Sequence, residues 1–465
     1  MTAHSAFAPS MSSAAAPRQK GYSAGRLLRF SALGIPIAAS QMPIGVYLPP
    51  IFAKLYGLSL GTIGLIFLIG RLWDGLLDPV VGTLSDATRS RFGRRRPWIV
   101  GGTMLFLVAT VLLFFPLASV TPAYLASALL LFYVGWTAMQ IPMLAWSGEI
   151  SAQYHQRTRI ATYQMVISSL GLFLALVLPS IAEKVRPGDA QLQLTLMGGL
   201  LLVTTLPALF LSITAVPEAP APQQAERFSL SEALRAVFAN PLLLRVLASD
   251  FAVTLGQAVR GALIVFFVGF YMGRPDWAAT LFLLQFVFGI LAAPIWGRIG
   301  RAIGKSRAAA LGEVAQALIN FALLTVTPST FWLLLTLTVA QGLTQGSGNL
   351  MLRAIVADVA DKHRLETGEE RSGLYYSVFT LSAKVGGAAA IGVALPLVAW
   401  LGFDPTASVN DPAALDGLLY VFALGPALAH TLAAFLIARF PLDENAHAEI
   451  RRRLDAGLTP LVPAE

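Results

Sequence analysis

The sequence predicts an all-helical polytopic membrane protein whose twelve transmembrane helices form two pseudo-symmetric bundles of six. Three observations support this fold class. First, the 465 residues are 56% hydrophobic and only 12% charged, whereas soluble domains carry about 25% charged residues. Second, long uncharged stretches recur along the chain, and roughly 20 apolar residues suffice for one span. Third, a polar, proline-rich segment divides the chain near its middle. This composition excludes a disordered protein, a coiled coil and a soluble multidomain enzyme.

The uncharged stretches predict the positions of the helices. Residues 97–148 contain no charged residue, and neither do residues 314–352, so each stretch holds two helices joined by a turn. The twelve predicted spans are 30–55, 59–83, 98–118, 123–148, 160–183, 192–215, 242–271, 277–299, 307–326, 330–358, 372–401 and 415–438.

The basic residues predict the orientation of the chain. Lys and Arg concentrate in the two tails and in alternate loops, most strongly in residues 89–96. Cytoplasmic loops carry an excess of these residues, so both termini are expected on the cytoplasmic side of the cell membrane. The same placement argues against a nucleic-acid partner, despite a net charge of +8. The predicted domains are a cytoplasmic tail (1–29), a six-helix bundle (30–215), a cytoplasmic linker (216–241), a second six-helix bundle (242–440) and a cytoplasmic tail (441–465).

Two basic, glycine-spaced loops occupy equivalent positions in the two predicted halves. One follows the second helix and the other follows the eighth. Their recurrence indicates an internal duplication, which is the plan of many secondary transporters; a signal for membrane topology alone is the alternative. We expect the loops to form a cytoplasmic gate together with a charged pair near the end of the tenth helix. The gate candidates are Gly82, Asp86, Gly93, Arg94, Arg95, Arg96, Gly297, Gly304, Arg353 and Asp358.

The second predicted helix contains three charged residues, Arg71, Asp74 and Asp78, and the eleventh contributes a fourth, Lys384. Their combined insertion penalty is roughly 10 kcal/mol. Spacings of three and four residues place the first three on one helix face. Two carboxylates one turn apart repel, and a proton, a bound cation or a neighbouring cationic side chain relieves that repulsion. Competition for these carboxylates is a physical basis for coupled transport; an ion-pair cluster that only orders the helices is the alternative.

The motif around these charges is specific. The second helix reads Arg71-Leu-Trp-Asp74-Gly-Leu-Leu-Asp78-Pro-Val-Val-Gly82-Thr-Leu-Ser-Asp86, and further motifs follow at 136–142, 355–361 and 376–387. In this order they resemble the glycoside–pentoside–hexuronide:cation symporter family of the major facilitator superfamily. The resemblance implies the two-bundle fold of that superfamily. It also implies a cation site formed by Asp74, Asp78 and Thr137, with Lys384 near it. Arg71, which lies on the same helix face as the two carboxylates, is the second predicted charge partner.

The positions that correspond to sugar-binding residues of the family carry other residues in this chain. The resemblance places Gln140 where a sugar-binding Asp stands and Leu144 where a stacking Trp stands. Because a Gln side chain can still bond to a sugar hydroxyl, sugar transport remains the expectation. The substrate-binding candidates are Gln140, Trp73, Trp136, Arg260, Gln345, Asn349 and Tyr376. Each group of candidates has an alternative explanation. Trp73 and Trp136 could serve only in packing, and Arg260 could form an ion pair with Asp250. Gln345 and Asn349 of the tenth helix could form interhelical hydrogen bonds.

These features predict a secondary active transporter that couples Na⁺ or H⁺ to a sugar, glycoside or uronide by alternating access. A cation-coupled carrier of a lysolipid, carboxylate or aglycone is the alternative, and a non-transporting receptor is a third. We expect no enzymatic activity, because the chain has no Cys and shows no nucleophile–base pair, metal cluster or phosphate loop. We expect no cofactor besides the coupling ion, and as partners a small-molecule substrate and the lipid bilayer. The protein is expected to be a monomer.

Overall fold

The computed structural model describes residues 22–116, 119–150, 154–218, 238–368, 371–407, 409–442 and 444–456, together with residue 235. Within these residues the chain forms helices and no strand. The long helices are α1 (Gly34–Tyr56), α2 (Leu60–Ala87), α3 (Arg96–Phe114), α4 (Pro122–Glu149), α5 (Tyr154–Val185), α6 (Ala190–Ala215), α7 (Pro241–Tyr271), α8 (Ala278–Ile303), α9 (Lys305–Ala322), α10 (Phe331–Thr367), α11 (Ser372–Trp400) and α12 (Pro412–Ile437).

Eleven of these helices are long and apolar enough to cross a membrane, counted over the described residues. The remaining one is α10, which is 37 residues long. Its apolar run is interrupted by polar residues that include Gln341 and Gln345. Because α10 packs along α8 and α9 within the same bundle, we count it as the twelfth span. The predicted twelve-helix membrane fold is confirmed.

Several helices extend further than their apolar stretches predicted. α10 continues beyond the predicted end at residue 358 to Thr367, where Gly368 (φ 75°) ends it. The charged residues of this extension are compatible with a helix that has left the apolar layer, and the stretch contains no earlier Gly or Pro to end it. A helix at Glu444–Asp455 likewise lies within the segment predicted as a C-terminal tail.

The first span also differs from its prediction. Helical structure begins at Ala24, inside the segment predicted as a tail, where the Ser23 hydroxyl accepts a hydrogen bond from the backbone N–H of Arg26. α1 itself contains a π-helical segment, Pro43–Tyr47, where proline removes a backbone donor from the helix. A second π-helical segment, Phe267–Tyr271, ends α7, the equivalent helix of the other half. Residues 1–21 and most of the predicted linker lie outside the described residues.

Helices α1–α6 form the N-terminal half and α7–α12 the C-terminal half. The halves contact each other where α2 packs on α11, α5 on α8 and α1 on α7. The α2–α11 contact depends on glycine: a Cβ at Gly64 would lie 2.7 Å from Pro396 Cδ, and one at Gly392 2.7 Å from Leu68 Cβ. We call this end of the molecule, with the loops 57–59 and 272–277, the closed end. The opposite end, with Arg94–Arg96 and Lys305, is called the basic end.

The buried apolar side chains form two clusters, of which the first joins the two halves. One hydrophobic cluster includes residues of both halves, among them Phe67 and Leu395. A second cluster, which includes Leu352 and Tyr375, consists of residues of the C-terminal half. Among the described residues, the ion pairs that join the halves are Lys184 with Asp276 at the closed end and those made by Lys384 at mid-depth. The two halves are therefore joined from the closed end to the middle of the molecule.

Candidate functional site

An ion-pair cluster joins the two halves at mid-depth. Helical spacing on α2 brings Asp74 and Asp78 to the face that meets α11, from which Lys384 extends between them. The Lys384 Nζ lies 2.5 Å from Asp78 Oδ2 and 3.0 Å from Asp74 Oδ2. Asp74 is fully buried, whereas the Asp78 and Lys384 side chains are partly exposed. One ammonium group of the C-terminal half thus bridges two carboxylates of the N-terminal half, and we call this arrangement the carboxylate bridge.

Side chains of α4 complete the surroundings of the bridge. The Thr137 hydroxyl donates a hydrogen bond to Asp74 Oδ1 at 2.9 Å. The Trp136 ring lies below Lys384, with its centroid 5.5 Å from Nζ. The Arg71 guanidinium stands 4.0 Å from Asp74 Oδ2 and 5.4 Å from the Tyr133 ring centroid. The structure therefore brings together all five residues that were predicted as cation ligands or charge partners.

The bridge has the chemistry of a site for a hard cation. Two carboxylates and one hydroxyl supply oxygen atoms, which are the ligands that such cations prefer. Asp78 Oδ1 is buried and has no hydrogen-bond partner among the described residues. The two positive charges of Arg71 and Lys384 balance the two negative charges of Asp74 and Asp78. An arriving Na⁺ or H⁺ would therefore compete with the ammonium group for the carboxylate oxygens.

The predicted substrate residues fall into separate groups. Trp136 and Trp73 flank the bridge, and Trp73 is 40% exposed. On α4, Gln140 is partly buried, and Leu144, one turn further, is 63% exposed. Tyr376 lies nearer the basic end, where its hydroxyl donates to the Arg353 carbonyl at 3.4 Å.

The remaining candidates belong to the interior of the C-terminal half. Asn349 donates to Gln257 Oε1 at 3.2 Å, and the Gln345 carbonyl accepts from Gln257 Nε2 at 3.4 Å. These bonds join α7 to α10. Gln345 and Arg260 line a cavity in this half. The expected ion pair between Arg260 and Asp250 is not formed: among the described residues, the guanidinium nitrogens of Arg260 and Oδ2 of Asp250 are buried without a hydrogen-bond partner.

Three gate candidates of the N-terminal half, Asp86, Arg94 and Arg95, form one ion-pair network with Glu149 at the basic end. Arg94 and Arg95 both donate to Glu149 Oε1 at 2.7 Å, and both contact Asp86. The carboxylate of Glu218 accepts from their backbone N–H groups at 2.7 and 2.6 Å. Both glutamates were missed by sequence reasoning, although they are rare acidic residues at the ends of apolar stretches.

The C-terminal half has its own network at the same end. Lys305 donates to both oxygens of Asp358 at 2.7 Å, and His447 lies 3.3 Å from Asp358 Oδ1. Asp358 thus pairs with these residues instead of with Arg353, its expected partner. Gly304 precedes Lys305 with φ 87°, a conformation that favours glycine. In this conformation each network stays within its own half, so the formation of a gate between the halves remains a prediction.

Two six-helix halves joined by an ion-pair cluster at mid-depth are typical of a secondary membrane transporter. Residues 30–444 match the model of a protein family described as MFS/sugar transport protein, and the chain belongs to that family. This result confirms the resemblance found in the motif at residues 71–86. The chain is a multi-pass membrane transporter and not an enzyme.

Individual relatives agree with this class. An uncharacterized symporter, YjmB of Bacillus subtilis (strain 168), is 26% identical over 426 residues, which cover 87% of this chain and 89% of the relative. A putative glycoside/cation symporter, YagG of Escherichia coli (strain K12), is 25% identical and covers 87% and 88% of the two chains. The crystal structure of the nucleoside transporter NupG superposes with a TM-score of 0.68 at 12% identity, covering 90% of this chain and 99% of that one. The similarity to NupG shows the fold alone. The relatives named as symporters imply a cation as co-substrate.

Proposed function

We propose that this protein is a symporter that couples Na⁺ or H⁺ to the movement of a sugar or glycoside. The observation that carries the proposal is the carboxylate bridge, in which Lys384 of one half pairs with both Asp74 and Asp78 of the other. Charged groups at the midplane of a transporter default to functional roles. The similarity to a putative glycoside/cation symporter supports the choice of cargo.

The bridge provides a mechanism for coupling. A cation that binds between Asp74, Asp78 and the Thr137 hydroxyl displaces the Lys384 ammonium group from the carboxylates. The ion pair between the halves is then broken, and Lys384 is free to donate hydrogen bonds to a substrate beside Trp136. With neither ligand bound, Lys384 restores the ion pair. Cation and substrate are thereby linked through one side chain, as coupled binding requires.

The proposed orientation places the basic end in the cytoplasm, following the distribution of Lys and Arg. The closed end then faces outward, and the conformation is one in which the substrate site opens toward the cytoplasm. We propose that the arginine network around Glu149 and the lysine pair at Asp358 meet when the transporter opens outward. Both networks would then act as the cytoplasmic gate.

The test is transport in proteoliposomes that contain the Asp78→Asn variant. Wild-type protein is expected to accumulate a labelled glycoside when a Na⁺ or pH gradient is imposed, and the gradient that drives uptake identifies the ion. The Asp78→Asn variant should lose gradient-driven uptake but retain substrate exchange. The control is Asp416→Asn, which removes an exposed carboxylate of α12 and should transport normally. Intact gradient-driven uptake in Asp78→Asn would refute the assignment of the cation site.

A further inference from the structure

A buried acidic side chain joins the two halves at the closed end and has no part in the coupling mechanism. Glu183 lies near the end of α5 and is only 2% exposed. Both oxygens of its carboxyl group accept from the backbone N–H of Ala279 at 3.0 Å. Ala279 is the second residue of α8. A carboxyl group of the N-terminal half therefore binds the first turn of a helix of the C-terminal half.

The start of α8 has no cap from its own sequence. The first four N–H groups of an α-helix have no partner within the helix, and a Ser, Thr, Asp or Asn at the N-cap position commonly accepts from one of them. Trp277 occupies that position in α8, and its side chain makes no such bond, because an indole group is a hydrogen-bond donor only. Glu183 thus supplies from the other half the bond that a local N-cap residue would make.

The corresponding helix of the N-terminal half starts differently. α2 follows Ser59, whose hydroxyl accepts from the backbone N–H of Thr62 at 3.2 Å. Both residues belong to the same half, so this cap does not require contact between the halves. The cap of α8 does require that contact. This difference between two equivalent helices links the start of α8 to the position of the other half.

The surroundings of Glu183 separate its contact from the exposed ion pair beside it. Gln193 of α6 donates to Glu183 Oε1 at 3.5 Å, which holds the carboxyl group from within its own half. The next residue, Lys184, lies 3.8 Å from Asp276, and both of these side chains are exposed to solvent. Exposed pairs contribute little stability. The buried cap is therefore the polar contact with the greater effect on this part of the interface.

Opening of the closed end must break this cap, because α5 and α8 pack on each other across the two halves. Once the helices separate, water can bond to both the carboxyl group and the N–H of Ala279. In the closed conformation Ala279 is fully buried, and without the carboxyl group its N–H would have no partner. A buried N–H without a partner is costly. The carboxyl group of Glu183 thus favours the closed conformation over the open one.

We propose that Glu183 is the residue that stabilises the closed end, and that its cap on α8 sets the ratio between the closed and open conformations of this end. Glu183 contacts neither the carboxylate bridge nor a substrate position, so it acts as a positioning residue. This inference rests on the proposed transport function, in which the closed end opens once in each cycle.

The test measures distances across the closed end in the full-length protein. The chain has no Cys, so Gly61→Cys and Trp400→Cys together provide the two sites for spin labels. A Cβ at Gly61, in the first turn of α2, would meet no atom within 4 Å, and Trp400, at the end of α11, is 81% exposed. Distance distributions from electron-spin resonance in lipid nanodiscs then give the ratio of open to closed molecules.

Glu183→Leu should raise the ratio of open to closed molecules at least about fivefold, because the buried N–H of Ala279 loses its partner. Glu183→Gln keeps an oxygen that can accept from this N–H, so its ratio should lie nearer to the wild-type value. The matched control is Lys184→Met, which removes the neighbouring exposed charge and should leave the ratio close to that of the wild type. If Glu183→Leu does not fold, Glu183→Asp replaces it, because the shorter side chain cannot span the same gap.

An unchanged ratio in Glu183→Leu would overturn the proposal. A shift toward the closed form would overturn it too, since burial of the carboxyl group would then cost more than its bond returns. Thermal unfolding of the same samples identifies a purely structural role: a lower unfolding temperature together with the wild-type ratio would also contradict the proposal.

The outcomes distinguish this cap from the proposed symport. Loss of gradient-driven uptake in Asp78→Asn, together with wild-type distances in Glu183→Leu, would refute the role of the cap and leave the symport function standing. A raised ratio in Glu183→Leu, together with intact gradient-driven uptake in Asp78→Asn, would support the cap and refute the assignment of the cation site.

Discussion

Removing the Lys384 ammonium group tests the carboxylate bridge most directly. In Lys384→Met, Asp74 and Asp78 lose the cation that lies 3.0 and 2.5 Å away. Removing one partner of a buried ion pair costs about 3–5 kcal/mol, because a buried charge is left uncompensated. Here the carboxylates can recover part of that energy by binding a proton or Na⁺. We therefore expect the variant to be destabilised at low cation concentration and to be stabilised strongly as the cation is added.

The stability that cation binding restores depends on the cation concentration relative to the dissociation constant. A cation at 100 times its dissociation constant stabilises the folded state by about 2.7 kcal/mol. Because the competing ammonium group is absent, the variant should also bind the cation more tightly, and each 1.4 kcal/mol of lost competition corresponds to about a tenfold gain in affinity. The assay is thermal unfolding of purified protein over a titration of Na⁺ at fixed pH and over pH without Na⁺. Coupled uptake should be lost, since the cation no longer displaces an interaction between the halves.

Lys184→Met is the matched control. Lys184 also pairs across the halves, but its side chain is 51% exposed and lies 3.8 Å from Asp276. Such surface pairs contribute about 0–1 kcal/mol, so the control should keep the wild-type stability and cation response. If Lys384→Met also showed the wild-type unfolding temperature and the wild-type cation affinity, the ammonium group would not compete with the cation, and the coupling mechanism would be wrong.

Three further substitutions test other contacts. Thr137→Val removes the hydroxyl that donates to Asp74 at 2.9 Å and should lower cation affinity about 10- to 150-fold by the strength of one bond to a charged group, as measured by cation titration; unchanged affinity would remove Thr137 from the site. Gly64→Val places a side chain against Pro396, where a Cβ already lies at 2.7 Å, and should separate the closed end; labelling of cysteines introduced there should increase, and wild-type labelling would contradict the packing. Glu149→Gln weakens both arginine bonds at the basic end and should destabilise the protein by about 2–4 kcal/mol in chemical unfolding, whereas a loss near zero would show that the network carries no stability.

The sequence determined much of this protein by itself. Its sparse charge required a membrane, because too few polar side chains exist to cover a soluble surface. The uncharged stretches located the spans, since helices must satisfy their own backbone hydrogen bonds in lipid. Asp74 and Asp78 could be identified as site residues because a charge at the centre of a span is costly to insert into the membrane and typically serves a function.

The tertiary structure decided which side chains pair with each other and where the helices end. Lys384 meets the two carboxylates only because α2 and α11 pack closely through Gly64 and Gly392, a contact between residues more than 300 positions apart. Periodicity specifies the face of a helix but not the helix that covers it, and for this reason Asp358 was expected to pair with Arg353 and pairs with Lys305. Arg260 shows the same limit: the sequence left open whether it contacts a substrate or pairs with Asp250, and the structure leaves its guanidinium nitrogens without a hydrogen-bond partner among the described residues.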